Sequence, residues 1–140
     1  MKARLVALLV AAAVASSCTV APNPVVPDEE YITEPIERAN ALSGQVSLDQ
    51  GLRAAMAFFA ESGAMSGFTP EEARAYDPST TFNTSPTAVE GQVSIRVVSP
   101  TAVVLVTKDG SGAIACKAFD GATGAITSGT TDAATVEDCS

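Results

Sequence analysis

Four prolines within residues 19–35 limit what this chain can fold into, because proline at this density disrupts both helices and sheet pairing. They are interspersed with acidic side chains in the segment TVAPNPVVPDEEYITEP. Segments of this kind are extended and semi-rigid. We therefore predict a tether over residues 18–35. We also predict one folded domain over residues 36–140, a length that suffices for a single small core.

An apolar leader precedes the tether. Lys2 and Arg4 are followed by the unbroken apolar run LVALLVAAAVA over residues 5–15 and then by small residues. A charged start, an apolar stretch of this length and a small-residue end are typical of a secretory signal peptide. The run is shorter than the roughly 20 apolar residues that a membrane-spanning helix needs. We therefore predict that the protein is exported, with residues 1–17 as its signal peptide.

Two cleavage sites fit the end of the leader. An ordinary signal peptidase would read AVA as a small-x-small site and cut after Ala15, which would leave a free thiol at Cys18. Alternatively, the sequence ASSC ending at Cys18 resembles a bacterial lipobox, although Ala15 stands where the family usually has leucine. The resemblance implies a diacylglyceryl thioether on Cys18, cleavage just before it, and attachment to a membrane through the lipid.

The number of cysteines favours the lipidated form. Cys18, Cys116 and Cys139 cannot all pair, and an odd cysteine in an exported protein indicates a reactive thiol or an intermolecular bond. A lipid on Cys18 would leave Cys116 and Cys139 to pair in an oxidising compartment, closing a loop of about 24 residues. A redox-active pair would need closely spaced, activated thiols, and the spacing here argues against one.

The predicted domain begins with an amphipathic helix. Ser47 suits the N-cap, Gln50 completes a capping box, and Gly63 is placed to end the helix. The upstream stretch PIERANAL is an alternative earlier part of the same helix, interrupted near Gly44. A second short helix is predicted in FTPEEARAY, with Pro70 at its first position. In the first helix Phe58 lies beside a face of apolar residues that recur at steps of three and four. The residues of that face are Leu48, Leu52, Ala55, Met56 and Phe59.

The rest of the domain predicts strands. GQVSIRVVS and AIACKAF alternate between apolar and polar residues, AVVLVT is nearly continuous in its apolar character, and AITSGT is a candidate fourth strand. The segments SPT, KDGSG and DGATG between them indicate turns, whereas DPSTTFNTSP indicates a loop. We therefore predict an α+β fold in which the N-terminal helix packs on a small antiparallel meander of three to four strands.

This order of elements resembles the globular half of type IV pilins and pseudopilins. The resemblance covers about residues 48–140 and rests on the helix, GFT, DPSTTF, the meander and the C-terminal cysteine. It implies a pilin-like head in which a disulfide near the C-terminus, matching Cys116 and Cys139, staples the last loop to the sheet. The chain departs from the family because no long hydrophobic helix follows the leader, so a lipid anchor would replace that helix.

Charge and composition restrict the function. The leader holds two of the 8 basic residues and none of the 16 acidic ones, so the rest has 6 against 16 and a net charge of −10. Nucleic-acid binding requires the opposite sign. The chain has no histidine, which removes His-activated nucleophiles and the commonest transition-metal ligand. Because Lys108 lies in a predicted turn and Lys117 is predicted to point outward, we expect no Ser-Lys pair either.

No metal site, cofactor or catalytic residue is predicted from the remaining motifs. The similar stretches DGSGAI at Asp109 and DGATGAI at Asp120 each carry a single carboxylate. A calcium loop needs several carboxylates at defined spacing, whereas Asp and Gly are common in tight turns. We therefore interpret both stretches as turns.

Two hypotheses of function remain open. The first is a non-catalytic cell-envelope lipoprotein whose head contacts another envelope protein, as a surface or secretion accessory. The second is a small ligand-binding or inhibitor module displayed on a lipid tether. An exposed apolar patch would favour protein contact, and a concave apolar pocket with a few polar groups would favour a ligand.

The intact mass of the protein purified from its own membrane fraction tests the predicted anchor. We expect a chain that begins at Cys18, is heavier by its acyl chains and is lighter by two hydrogens for one disulfide. An unmodified chain that begins at Ser16 in the soluble fraction would contradict the lipid anchor.

Overall fold

The computed structural model describes the backbone of residues 29–140 and the side chains from residue 34 onward. The predicted signal peptide, Cys18 and most of the predicted tether lie outside the described residues. Five strands form one sheet in the order β1-β2-β3-β4-β5. The elements are α1 (Glu29–Ser62), α2 (Pro70–Tyr76), β1 (Phe82–Asn83), β2 (Val93–Val97), β3 (Ala102–Lys108), β4 (Ile114–Asp120) and β5 (Ala125–Gly129).

The sheet differs from the predicted meander. It has five strands and is mixed, because β1 pairs with β2 in parallel while the other three pairings are antiparallel. The prediction of an antiparallel meander of three to four strands is therefore wrong. β1 consists of Phe82 and Asn83 alone. Two residues carry no periodic pattern, and the turn-forming residues around them indicate a loop.

Helix α1 begins earlier than predicted. It starts at Glu29 and continues through Pro35, so the prediction that Ser47 caps its start is wrong. The Ser47 hydroxyl instead donates to the Ser43 carbonyl, 3.0 Å away, as serines inside helices do. The helix ends where the sequence indicates, because Gly63 follows it with a φ of 71°.

Gly44 explains part of this error. Its position in the sequence suggests an interruption of the helix, but a Cβ there would lie 3.4 Å from the Asp109 Cβ and 3.5 Å from the Thr107 Cγ2. The glycine therefore allows the helix to approach the end of β3 closely. A close approach of this kind depends on tertiary structure, which local sequence does not show.

One face of the sheet forms the larger core with the helices. Helix α1 packs mainly on β3 and β4, and Phe58 is partly buried with its ring centroid 5.3 Å from that of Phe68. Met56, predicted on the buried face, is 41% exposed. The buried members of this core are Leu48, Leu52, Ala54, Ala55, Met65, Phe68, Ala73, Phe82, Val93, Ile95, Val103, Leu105 and Phe119.

The C-terminal tail, residues 130–140, covers the opposite face of the sheet. Successive residues of a strand point to opposite faces, so Val103 and Leu105 face α1 while Val104 and Val106 face the tail. The disulfide between Cys116 and Cys139 is confirmed, with the two Cα atoms 5.9 Å apart. The second core consists of Val104, Val106, Cys116, Ala118, Ala133 and Cys139.

An ion pair also holds the tail. The Arg96 guanidinium on β2 lies 2.5 Å from the Asp132 carboxylate and donates to the carbonyl of Ala133. The Arg96 side chain is largely buried in this arrangement. Two attachments, one covalent and one ionic, therefore fix the two ends of the tail against the sheet.

Removal of the disulfide should destabilise the fold strongly. In the double variant Cys116→Ser, Cys139→Ser the unfolded chain regains the entropy of a loop of about 24 residues, and we expect a loss of about 3 kcal/mol in the free energy of unfolding. Urea unfolding of the variant and the oxidised wild type measures the difference. A loss below about 1 kcal/mol would contradict a constraining role for the bond.

Candidate functional site

The described region contains neither a cluster of metal-binding side chains nor a membrane-spanning helix. Within residues 34–140, no group of three or more potential metal-binding side chains lies close enough to hold an ion. Among the described helices, none is both long and apolar enough to cross a bilayer.

Asp109 shapes the turn between β3 and β4. Its Oδ1 accepts hydrogen bonds from the Ser111 hydroxyl at 2.6 Å, the Ser111 N–H at 2.8 Å and the Ala113 N–H at 3.0 Å. These bonds, above all the one from the Ser111 hydroxyl, hold the pKa of Asp109 below its ordinary value. The carboxylate is thus occupied by its own turn, in agreement with the interpretation of DGSGAI as a turn.

Asp120 plays the same part in the turn between β4 and β5. Its carboxylate accepts the Ala122 N–H at 2.9 Å and the Thr123 hydroxyl at 3.0 Å. The bond from the Ala122 N–H is the main cause that lowers the pKa of Asp120. Gly124 completes the turn with a φ of 72°. The two similar stretches are therefore two separate turns, each with one structural carboxylate.

Lys117 does not point outward as predicted. It lies on β4, and its Nζ contacts a carboxylate oxygen of Asp49 on α1. The pair links the helix to the sheet beside the larger core. The alternation of AIACKAF could have predicted that Lys117 faces the helix, because Lys117 and Phe119 share a face of the sheet and Phe119 faces the helix. Lys108 is the last residue of β3 rather than part of the turn.

The first half of α1 carries the most exposed large apolar side chains of the described region. Ile36, Leu42 and Val46 are 54%, 65% and 53% exposed. A step of four residues places Leu42 and Val46 on one side of the helix, roughly opposite Gly44 and Leu48, which face the sheet. Ile36 lies about 120° around the helix axis from Leu42. We call Ile36, Leu42 and Val46 the helix patch.

The surroundings of the helix patch are polar. Residues 34–43 are exposed apart from the half-buried Asn40. The Arg38 guanidinium and the Glu34 carboxylate lie 3.8 Å apart one turn from each other, which supports the exposed helix modestly. An apolar stripe rimmed by charged residues is typical of a surface that binds another protein.

The groove between α1 and α2 is a weaker candidate for a binding site than the helix patch. A groove of about 330 Å³ lies between α1 and α2, with Tyr76 and Asp77 among its lining residues. The Tyr76 hydroxyl donates to Glu61 at 2.8 Å, a bond that raises the pKa of Tyr76. Asp77 accepts hydrogen bonds from Ser79 and Thr80. These polar groups already have protein partners, whereas a ligand site needs groups that converge on the ligand.

Comparisons with protein-family models, curated proteins and solved structures find no match for this chain. The resemblances to a lipobox and to pilin heads therefore stay predictions, and Cys18, the predicted lipidation site, lies outside the described residues. The structure brings Cys116 and Cys139 together. It also reveals the helix patch, which the sequence pattern had not singled out.

Acidification tests the role of Asp109. The pKa of Asp109 is lowered in the folded state relative to an unfolded value of about 3.9, so its carboxylate stabilises the fold above about pH 4. This contribution is lost as the pH falls through the lower, folded pKa. We expect Asp109→Asn to be less stable than the wild type at neutral pH, and its free energy of unfolding to fall less steeply on acidification.

Urea unfolding at several pH values measures this difference. Ser111→Ala is the matched variant, because it keeps the carboxylate and removes the hydroxyl that contributes most to the shift. It should weaken the pH dependence in part. An identical pH dependence in the wild type and Asp109→Asn would contradict the account of this turn.

Proposed function

We propose that this chain is a non-catalytic lipoprotein of the bacterial cell envelope whose folded head contacts another envelope protein. The helix patch is the observation that carries the proposal. The lipobox-like sequence ending at Cys18 supports the anchor, and the resemblance to type IV pilins supports an accessory role in a surface or secretion system. The proposed function requires neither a cofactor nor nucleic acid.

The anchor sets where the head would work. Two or three acyl chains on Cys18 would hold the chain firmly on a membrane, which a single chain does only marginally. Residues 19–28, which contain three prolines, would act as a spacer, and the acidic residues at the start of α1 would be repelled by anionic headgroups. The head would then stand away from the bilayer, on the outer face of the cell membrane or in the periplasm, anchored there to the outer membrane.

The helix patch defines the kind of partner. Ile36, Leu42 and Val46 are half exposed or more, so their burial in a partner would contribute about 1 kcal/mol each. Leu42 and Val46, one turn apart on the same side of α1, fit an apolar groove. Because the chain outside the leader carries a net charge of −10, a groove with a basic rim would be attracted to it. The proposed partner is therefore an envelope protein with an apolar, basic-rimmed groove.

Site-specific photo-crosslinking in intact cells tests the contact. A photoreactive residue at Val46 should yield an adduct with an envelope protein, whereas the same residue at the exposed Thr84, in the loop after β1, should not. Leu42→Glu should reduce the Val46 adduct at least about tenfold, since it replaces an apolar contact by a charge. Its free energy of unfolding should stay within about 0.5 kcal/mol of the wild type.

Thr84→Glu is the charge-matched control and should leave the Val46 adduct unchanged. Equal crosslinking from Val46 and Thr84 would contradict the proposed surface. A small molecule that raises the melting temperature, in the absence of any Val46 adduct, would favour the ligand-binding alternative.

A further inference from the structure

The edge strand β5 lacks the features that usually protect a sheet edge. It is the last strand of the sheet and has only β4 as a neighbour. Its sequence AITSG contains no charged residue and no proline, and residues 121–131 are uncharged throughout. Edge strands in soluble proteins are usually blunted by charges, prolines or bulges, because an open edge pairs readily with another strand.

The backbone of β5 presents free hydrogen-bonding groups. The Gly121 N–H donates to the Thr101 carbonyl at 2.7 Å, so the odd-numbered residues of β4 bond to β3 and the even-numbered Ala118 bonds to Thr127 on β5. Alternate residues of an antiparallel strand turn their N–H and C=O to the same side, so Ile126 and Ser128 turn theirs away from β4. Within the described part of the chain, no backbone hydrogen bond from a turn, loop or cap reaches Ile126 or Ser128.

Exposed apolar surface continues from this edge. Ile126 is 47% exposed and lies opposite Phe119 on β4. The Phe119 ring centroid is 5.7 Å from that of Phe59 on α1, and Met56, one turn before Phe59, is also exposed. A strand added beside β5 would cover Ile126 as well as satisfy the backbone groups.

Two of the charges near this edge are neutralised within the chain. Lys117, which lies opposite Ser128, is paired with Asp49, and Asp132 just after β5 is paired with Arg96.

The third charge near the edge is held in its own turn. The Asp120 carboxylate, opposite Ala125, accepts hydrogen bonds from the turn that follows it. Like charges repel when two copies of so acidic a chain approach each other. Because β5 itself carries no carboxylate, it is a surface along which two copies can meet.

We propose that two copies of this chain pair through β5, antiparallel and about a twofold axis at Thr127. Ile126 lies opposite Ser128 of the partner subunit and exchanges both backbone hydrogen bonds with it, while Thr127 and Thr127 of the partner subunit form the non-hydrogen-bonded pair on the axis. The two five-stranded sheets become one continuous sheet with both α1 helices on the same face. This pairing uses no residue of the helix patch, so it goes beyond the function proposed above and does not depend on it.

Residue-specific amide hydrogen exchange on the purified full chain, in excess detergent micelles, tests the pairing without any substitution. At low protein concentration the Ile126 and Ser128 amides face solvent and should exchange fast, whereas the Thr127 and Gly129 amides, bonded to β4, should already be slow. At high concentration we expect Ile126 and Ser128 to slow at least about tenfold. Fast exchange of Ile126 and Ser128 at every concentration would overturn the proposal.

Sedimentation equilibrium of variants locates the interface. Ile126→Lys places a cation on each side of the twofold axis and should weaken dimerisation at least about tenfold. Ala75→Lys is the matched control, because Ala75 is exposed on α2, which packs near β1 at the other edge of the sheet. It should leave dimerisation unchanged.

A second variant removes a donor instead of adding a charge. Ser128→Pro deletes an outward N–H but keeps the hydrogen bonds to β4, as prolines on sheet edges do, and should also yield monomers. Dimerisation that persists in both edge variants would overturn the proposal. Protection of Ser128 that appears only after an envelope extract is added would indicate a strand from another protein, and would likewise overturn self-pairing.

Discussion

The burial of β3 on both faces is the constraint on which the rest of the structure depends. All residues from Ala102 to Thr107 are buried. Val103 and Leu105 face the helix, while Val104 and Val106 face the C-terminal tail. A strand in this position needs two covers, because each valine left in contact with water would forfeit about 1.5 kcal/mol or more of its burial. Helix α1 is the first cover, and the tail is the second.

The two covers differ in what holds them. Helix α1 buries a broad apolar face and an ion pair from Asp49 to Lys117, so packing alone can keep it on the sheet. The tail buries little beyond Ala133, Val136 and Cys139. Domains of this size bury only a small apolar core. The disulfide and Arg96 therefore hold the tail on the sheet, because the apolar surface that the tail buries is too small to do so alone. With both faces covered, the surfaces left for partners are the first half of α1 and the β5 edge.

Much of this arrangement could be predicted from the sequence, but only where local pattern decides it. The continuous apolar run AVVLVT indicates a strand buried on both sides, the aspartate-glycine stretches indicate turns, and cysteine counting leads to Cys116 and Cys139. The errors arose where tertiary contacts override local preference. Gly44 suggests a break yet permits a close approach to Thr107, and Phe82 and Asn83 pair with β2 without any strand pattern of their own.

The candidate site was harder to predict for a related reason. Helix α1 has apolar residues on two sides, so Ile36, Leu42 and Val46 are hidden in a pattern that does not separate a core face from a contact face. Met56 was assigned to the core for the same reason and is exposed. Only the placement of the sheet shows which side of the helix is left free.

Amide hydrogen exchange of the tail before and after reduction tests the central claim most directly. The account predicts that the tail amides that donate hydrogen bonds, those of Thr135, Asp138 and Cys139, are protected in the oxidised chain and exchange freely once the disulfide is reduced. Those of Val103 and Leu105 should stay slow under α1. Rapid exchange of the tail in the oxidised chain, or no change on reduction, would contradict the claim that a disulfide-held tail covers the second face of the sheet.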